Sequence, residues 1–193
     1  MPRPDTRFNT SGKILDLAER LVQTRGFNGF SYADIAGEMK VTKASLHYHF
    51  PAKAELGRRL IERYERNFLA ALEAIDAESP DAREKLRRYA AIYGDVLGDN
   101  RMCLCGMLAA EFGTLPEPMR AEMRHYFDAN ERWLVGVLQQ GKKEKKLKFQ
   151  GSAAEVAQSL VGALEGAMMI ARSYADVARF KSAADRTLAS LAA

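Results

Sequence analysis

Phe30-Ser-Tyr-Ala-Asp-Ile-Ala-Gly-Glu-Met-Lys-Val-Thr-Lys-Ala-Ser-Leu-His-Tyr-His-Phe-Pro-Ala-Lys-Ala-Glu-Leu56 is the stretch from which the rest of the chain is read. It reads as two short helices around a tight turn. Ser31 followed by Asp34 has the pattern of a helix start, a hydroxyl acceptor with an acid in the first turn. Ala33, Ile35, Ala36 and Met39 supply small and apolar positions for packing. Met39 to Thr42 makes the turn, and Thr42 is a natural cap for a second helix over Lys43 to Phe50. In that helix only Ala44, Leu46 and Phe50 look buried, leaving Lys43, Ser45, His47, Tyr48 and His49 as donors and flat rings. Pro51 ends it, since proline lacks a backbone donor and biases its predecessor away from helix. A short helix with basic and aromatic residues facing out suits the second helix of a helix-turn-helix in a DNA major groove.

With Ile35-Ala36, Val41-Thr42-Lys43, Leu46 to Phe50, and Lys53 with Leu56 in register, the stretch resembles the DNA-binding region of the tetracycline-repressor (TetR/AcrR) family. Ile14-Leu15, Ala18 and Gly26-Phe27 also fit that family's first helix. His47, followed by Tyr48, stands where the family usually has tyrosine. The resemblance implies base contacts from Lys43, Ala44, His47 and Tyr48, and phosphate contacts from Ser31, Tyr32, Ser45, His49 and Lys53. Lysine near a helix N-terminus reaches guanine acceptors or phosphates, and hydroxyls suit phosphate oxygens. It further implies a helix-turn-helix domain over residues 1–56 and a larger helical ligand-binding and dimerisation domain over 57–193. The expected function is that of a repressor released from a palindromic double-stranded DNA operator by a small apolar effector or by modification of Cys103.

The composition agrees with such a protein. Hydrophobic residues make up 47% of 193, enough for a real core, and the net charge is +4. Residues 1–66 hold twelve Lys and Arg against eight Asp and Glu, and the remainder holds seventeen of each. The excess therefore sits with the DNA reader. No apolar run approaches the ~20 residues that span a bilayer. The first residues lack the apolar segment of a secretory signal, so a cytoplasmic location is expected.

Along the chain, residues 1–9 with Arg3 and Arg7 read as a loose arm, either a disordered terminus or a minor-groove or phosphate contact. Thr10 or Ser11 is expected to cap a first helix that Gly26 ends. A long helix from Lys53 to about Glu78 follows, acting as a connecting rod. Helical spacing then gives segments to about Gly98, from about Cys103 to Phe112, from about Pro118 to Gly141, and two more beyond Ser152. The fold expected is all-α, about nine helices. Lys142 to Lys148 reads as a solvated loop or a contact with DNA or a partner. The last two helices, about 152–191, carry glycine and alanine among apolar residues and are the expected homodimer surface.

The candidate effector pocket draws on Phe68, Tyr89, Tyr93, Met107, Phe112, Met123, Phe127 and Met168, with Glu111, His125 and Asn130 as polar groups. The same residues also read as plain core. Cys103 and Cys105 stand at a predicted helix start after Arg101, a setting that favours a thiolate; they are a possible redox sensor or two small buried hydrophobes. No catalytic motif, cofactor or metal site is expected: His47 and His49 are two apart, a poor spacing for shared ligation on a helix. The alternatives are an enzyme or a helical protein-interaction adaptor, neither of which explains the basic surface from Lys43 to Lys53.

Overall fold

The computed structural model describes residues 6–193, with side chains from Thr10 onward. Among the described residues are nine α-helices: α1 Thr6–Arg25, α2 Tyr32–Met39, α3 Lys43–His49, α4 Lys53–Glu78, α5 Ala82–Gly98, α6 Leu104–Ala110, α7 Glu117–Lys143, α8 Ala153–Ser173 and α9 Val177–Ala189. One turn of 3-10 helix lies at Phe112–Thr114, and an isolated antiparallel bridge joins Leu147 and Ala192. The fold is all-α, as the sequence pattern implied. No described helix is long and apolar enough to cross a membrane.

One helix start differs from expectation. Thr10 and Ser11 lie inside α1, which begins at Thr6. Hydroxyl residues cost a helix interior only a few tenths of a kcal/mol, so a good cap need not be used as one. Arg3, and the side chain of Arg7, lie outside the described residues.

The helices gather into two compact units. The first comprises residues up to Tyr64 together with Leu104–Met123; the second comprises Glu65–Cys103 and Arg124–Ala193. This division differs from a single cut after Leu56. The first unit keeps two further turns of α4 and also takes α6, because α6 packs on α1 and buries Leu104, Cys105 and Leu108.

In the first unit, Ile14, Ala18 and Val22 of α1, Ile35 of α2, Leu46 of α3 and Leu56 and Ile61 of α4 make the core. Gly26 ends α1 with φ of +83°, a conformation open to glycine. A Cβ there would also lie 2.7 Å from Glu111 Oε1. That carboxylate accepts the Phe27 N–H at 2.6 Å and the Asn28 N–H at 3.2 Å. Arg63 reaches back to Asp16 and Glu19 of α1 at 2.6 and 2.7 Å.

In the second unit α5, α8 and α9 pack against one another. Capping boxes and Asp caps start the late helices: Ser152 with Glu155 for α8, and Asp176 for α9. Within Lys142–Lys148, the lysines are exposed and Leu147 is buried, with Lys146 paired to Asp81 at 2.9 Å. A solvated turn pinned by one apolar residue is the outcome.

Candidate nucleic-acid interface

The site is built by two caps and a left-handed turn. Ser31 accepts the Ala33 N–H, and its own N–H and hydroxyl both donate to Asp34 at 2.7 Å. Those hydrogen bonds from Ser31 hold the Asp34 carboxyl below the usual range. α2 then ends at Lys40, whose φ of 56° and ψ of 42° turn the chain left-handed. Its N–H and that of Val41 are both taken by Ala36 O. Thr42 accepts the Ser45 N–H at 3.2 Å and starts α3.

α3 is anchored by one side chain of its own, Leu46, at 1% exposure, with Phe50 buried just beyond it. Four of its other residues are open to a partner. Lys43, Ala44, His47 and Tyr48 are exposed, and Tyr48 presents 70% of its surface. Ala44, read above as buried, lies on this outer face: its position falls opposite Leu46 around a helix of 3.6 residues per turn. Such a bare, ring-bearing face on a seven-residue helix has no packing task.

His47 is held in a defined pose. Its Nδ1 lies 3.1 Å from Pro51 O, and its ring tilts against Tyr32 with centroids 4.9 Å apart. A carbonyl only accepts, so Nδ1 carries the proton and Nε2 of a neutral ring is left as an acceptor. Ser45 and His49 are half-buried at the edge of this face.

Two of the expected phosphate contacts turn inward instead. Tyr32 is buried, its hydroxyl donates to Phe50 O at 2.8 Å, and burial with the nearby Glu55 charge pushes its pKa up to about 12. Lys53 donates to Phe27 O and Phe30 O and lies 4.4 and 4.3 Å from the centroids of those two rings. Burial lowers the Lys53 pKa, against the opposing charges of Glu111 and Asp34. Both side chains tie the ends of the motif together, because each finds carbonyl acceptors within the unit in place of the water that burial removes. Ser31 stays exposed, but its hydroxyl proton is already committed to Asp34.

This arrangement can lay a short polar rod along a duplex, and it has a precedent. A model described as bacterial regulatory proteins, tetR family, matches residues 14–60. A second, described as tetracyclin repressor-like, C-terminal domain, matches residues 82–187, more than half of the chain. The chain belongs to the tetR family. It is therefore a transcriptional regulator with a DNA-binding domain, and not an enzyme.

Among its relatives, the transcriptional regulator AcuR of Cereibacter sphaeroides is 27% identical over 173 residues, covering 88% of this chain and 78% of AcuR. A TetR-family regulator from Agrobacterium tumefaciens superposes with a TM-score of 0.94 at 31% identity, over 97% of this chain and 100% of that one. The reduced form of Escherichia coli NemR superposes with a TM-score of 0.81 at 25% identity, over 95% and 97% of the two chains.

The residues expected to line an effector pocket in this TetR-family regulator divide between the two units: Met107, Glu111, Phe112 and Met123 belong to the first, the others to the second. Glu111 is spent on the Phe27 and Asn28 amides, and Phe112 is 40% exposed with the Arg120 guanidinium over its ring. In the second unit, Asn130 Nδ2 donates to the Tyr93 hydroxyl at 3.2 Å, and the Tyr89 hydroxyl donates to Asn130 Oδ1 at 2.9 Å. The two hydroxyls lie 3.0 Å apart, so Tyr93 donates to Tyr89 and the ring closes. Phe68 meets Tyr89 edge-on and lies tilted against Tyr126, and Trp133 stacks on Tyr89. Phe127 is half-buried against Tyr126, and Met168 Sδ accepts the Cys103 N–H at 3.4 Å. His125 is largely exposed and bonds Glu65.

The cysteines form no disulfide and are buried, Cys103 at 2% and Cys105 at 0% exposure. Arg101, expected to lower the thiol pKa, carries its guanidinium to Asp99 at 2.6 Å. The residue that sequence reading passed over is Glu165. Both its carboxylate oxygens are enclosed, and among the described residues no cation pairs with them; the Cys103 thiol is the polar group beside them. The signal was present: Glu165 is the sole charge on α8 between Glu155 and Arg172.

Proposed function

We propose that this regulator is a homodimeric, cytoplasmic repressor that holds a palindromic operator through α3 and lets go when an effector binds the larger helical unit. The observation that carries the DNA-reading half is the exposed quartet Lys43, Ala44, His47 and Tyr48 on a helix with one core anchor. Lys43 at the start of α3 suits guanine acceptors, and His47 Nε2 suits the exocyclic amino group of adenine or cytosine. Ser45 and His49, at the edge of the face, suit phosphates, as does the exposed Ser31 once its hydroxyl turns from Asp34 to donate outward.

One short helix reads few base pairs, and a pair of them related by a twofold axis reads a palindrome. The exposed side of α8 and α9 supports that pairing: Met169 is 53% and Ile170 56% exposed, and a Cβ at Gly162 or Gly166 would meet nothing within 4 Å. Release by a ligand requires it to favour the conformation that binds DNA poorly. Burial of both thiols supports ligand release over modification of Cys103. The likeness to NemR, whose structure is of a reduced form, keeps the thiol route as the second reading.

The test is titration of the protein against its own upstream DNA and a scrambled duplex over a range of salt. Lys43→Ala and His47→Ala each lower specific affinity by roughly 5- to 150-fold, about 1–3 kcal/mol per base contact, and leave scrambled binding nearly unchanged. Equal loss on both duplexes rejects the base-reading assignment.

A further inference from the structure

Glu165 sits on α8 with its carboxylate shut away from water, with no cation paired to it and the Cys103 thiol as its polar neighbour. Among the titratable groups, Tyr89 and Tyr93 on α5 feel its charge, and the Cys103 thiol beside it draws it toward ionisation. No lysine or arginine of α5, α8 or α9 offsets it. The tyrosine hydroxyls cannot turn to it without breaking the closed ring with Asn130, where each proton already has an acceptor. The groups that act on the carboxylate are therefore two phenols already hydrogen-bonded elsewhere and one thiol. An enclosed anion in such a setting is costly, and a positive ligand relieves the cost.

We propose that Glu165 anchors an organic cation, an ammonium or quaternary ammonium head whose charge meets the carboxylate while its alkyl surface meets the rings of Tyr89 and Tyr93. Aromatic faces attract alkylammonium groups, and a carboxylate among them adds the charge that selects for it. This rests on reading the second unit as the effector-binding one, and it names the chemical class of the effector. The rest of Glu165 reaches the surface in part, so the anchor lies just beneath α8.

Burial brings the Glu165 pKa up to about 7. The empty site is thus largely neutral at pH 6 and largely charged at pH 8. A cation binds the charged form, so its affinity rises about tenfold from pH 6 to pH 8.

Calorimetric titration of the full-length protein decides it. The probes are tetramethylammonium, choline and benzyltrimethylammonium, with 3,3-dimethylbutan-1-ol as the uncharged isostere of choline. At least one cation is expected to bind at pH 8, to weaken about tenfold at pH 6, and to weaken at least tenfold in Glu165→Gln. The alcohol is expected not to bind, a control that does not depend on any variant folding. Absence of cation binding to the wild type at pH 8, or equal binding by Glu165→Gln, overturns the proposal. Operator binding measured in the same samples separates the two claims. Cation binding that leaves operator affinity unchanged keeps the site and overturns its effector role; intact operator binding with no cation bound overturns the site alone.

Discussion

At the scale of single residues, burial decides what a polar side chain is for. Lys53 looks on paper like a phosphate contact, yet its ammonium is caged by two carbonyls and two rings. Lys53→Met is expected to lower the unfolding free energy by about 1–3 kcal/mol, from lost hydrogen bonds and cation–π contact, with the denaturant midpoint as the measure. A variant as stable as the wild type but weak on all DNA returns Lys53 to the phosphates. Glu165 makes the converse case. Its folded pKa, raised from 4.5 to about 7, means that the native state holds the proton more tightly than the unfolded chain. Its contribution is therefore fully present below pH 4.5 and lost as pH rises through 7. Wild-type stability should carry a component that falls by up to ~3 kcal/mol between pH 4 and pH 8, absent from Glu165→Gln. Urea unfolding of both at the two pH values checks this.

At the scale of elements, α3 is too short to stand by itself, since isolated helices under about twelve residues are marginal in water. It persists because Thr42 caps one end, Leu46 anchors the middle and Phe50 N–H closes on Leu46 O at 2.8 Å. Thr42→Ala should cost about 1 kcal/mol. It should speed hydrogen exchange at the Ser45 amide and weaken binding to every DNA sequence alike, since the rod loosens while its reading side chains remain. This cap, the Ser31 capping box and the Pro51 stop were all legible, because hydroxyl and proline chemistry acts within three or four residues. The start of α1 was not, because Thr10 and Ser11 tolerate a helix interior as well as a cap.

At the scale of the whole molecule, two compact units share α4, and each has its own core. The segment from Leu104 to Met123 belongs with the first unit. The Glu111 carboxylate on the Phe27 and Asn28 amides is a bond across 84 and 83 residues, which no local pattern announces. Met169 and Ile170, exposed apolar residues on α8, belong to the surface proposed for a second copy. Light scattering should give a mass of two chains for the wild type and one for Ile170→Asp. Because Ile170 is 56% exposed in the single chain, the variant should keep its helix content.

Read by itself, the sequence determined the helix-turn-helix, the all-α class and the face that α3 turns outward, since caps, turns and helical periodicity are written in near neighbours. Only the tertiary structure decided which polar groups lost their water. Tyr32 and Lys53 were drawn in, Ala44 was left out, and Glu165 was enclosed without a countercharge. Desolvation depends on residues far away in the chain, and no spacing along it records where they come to rest.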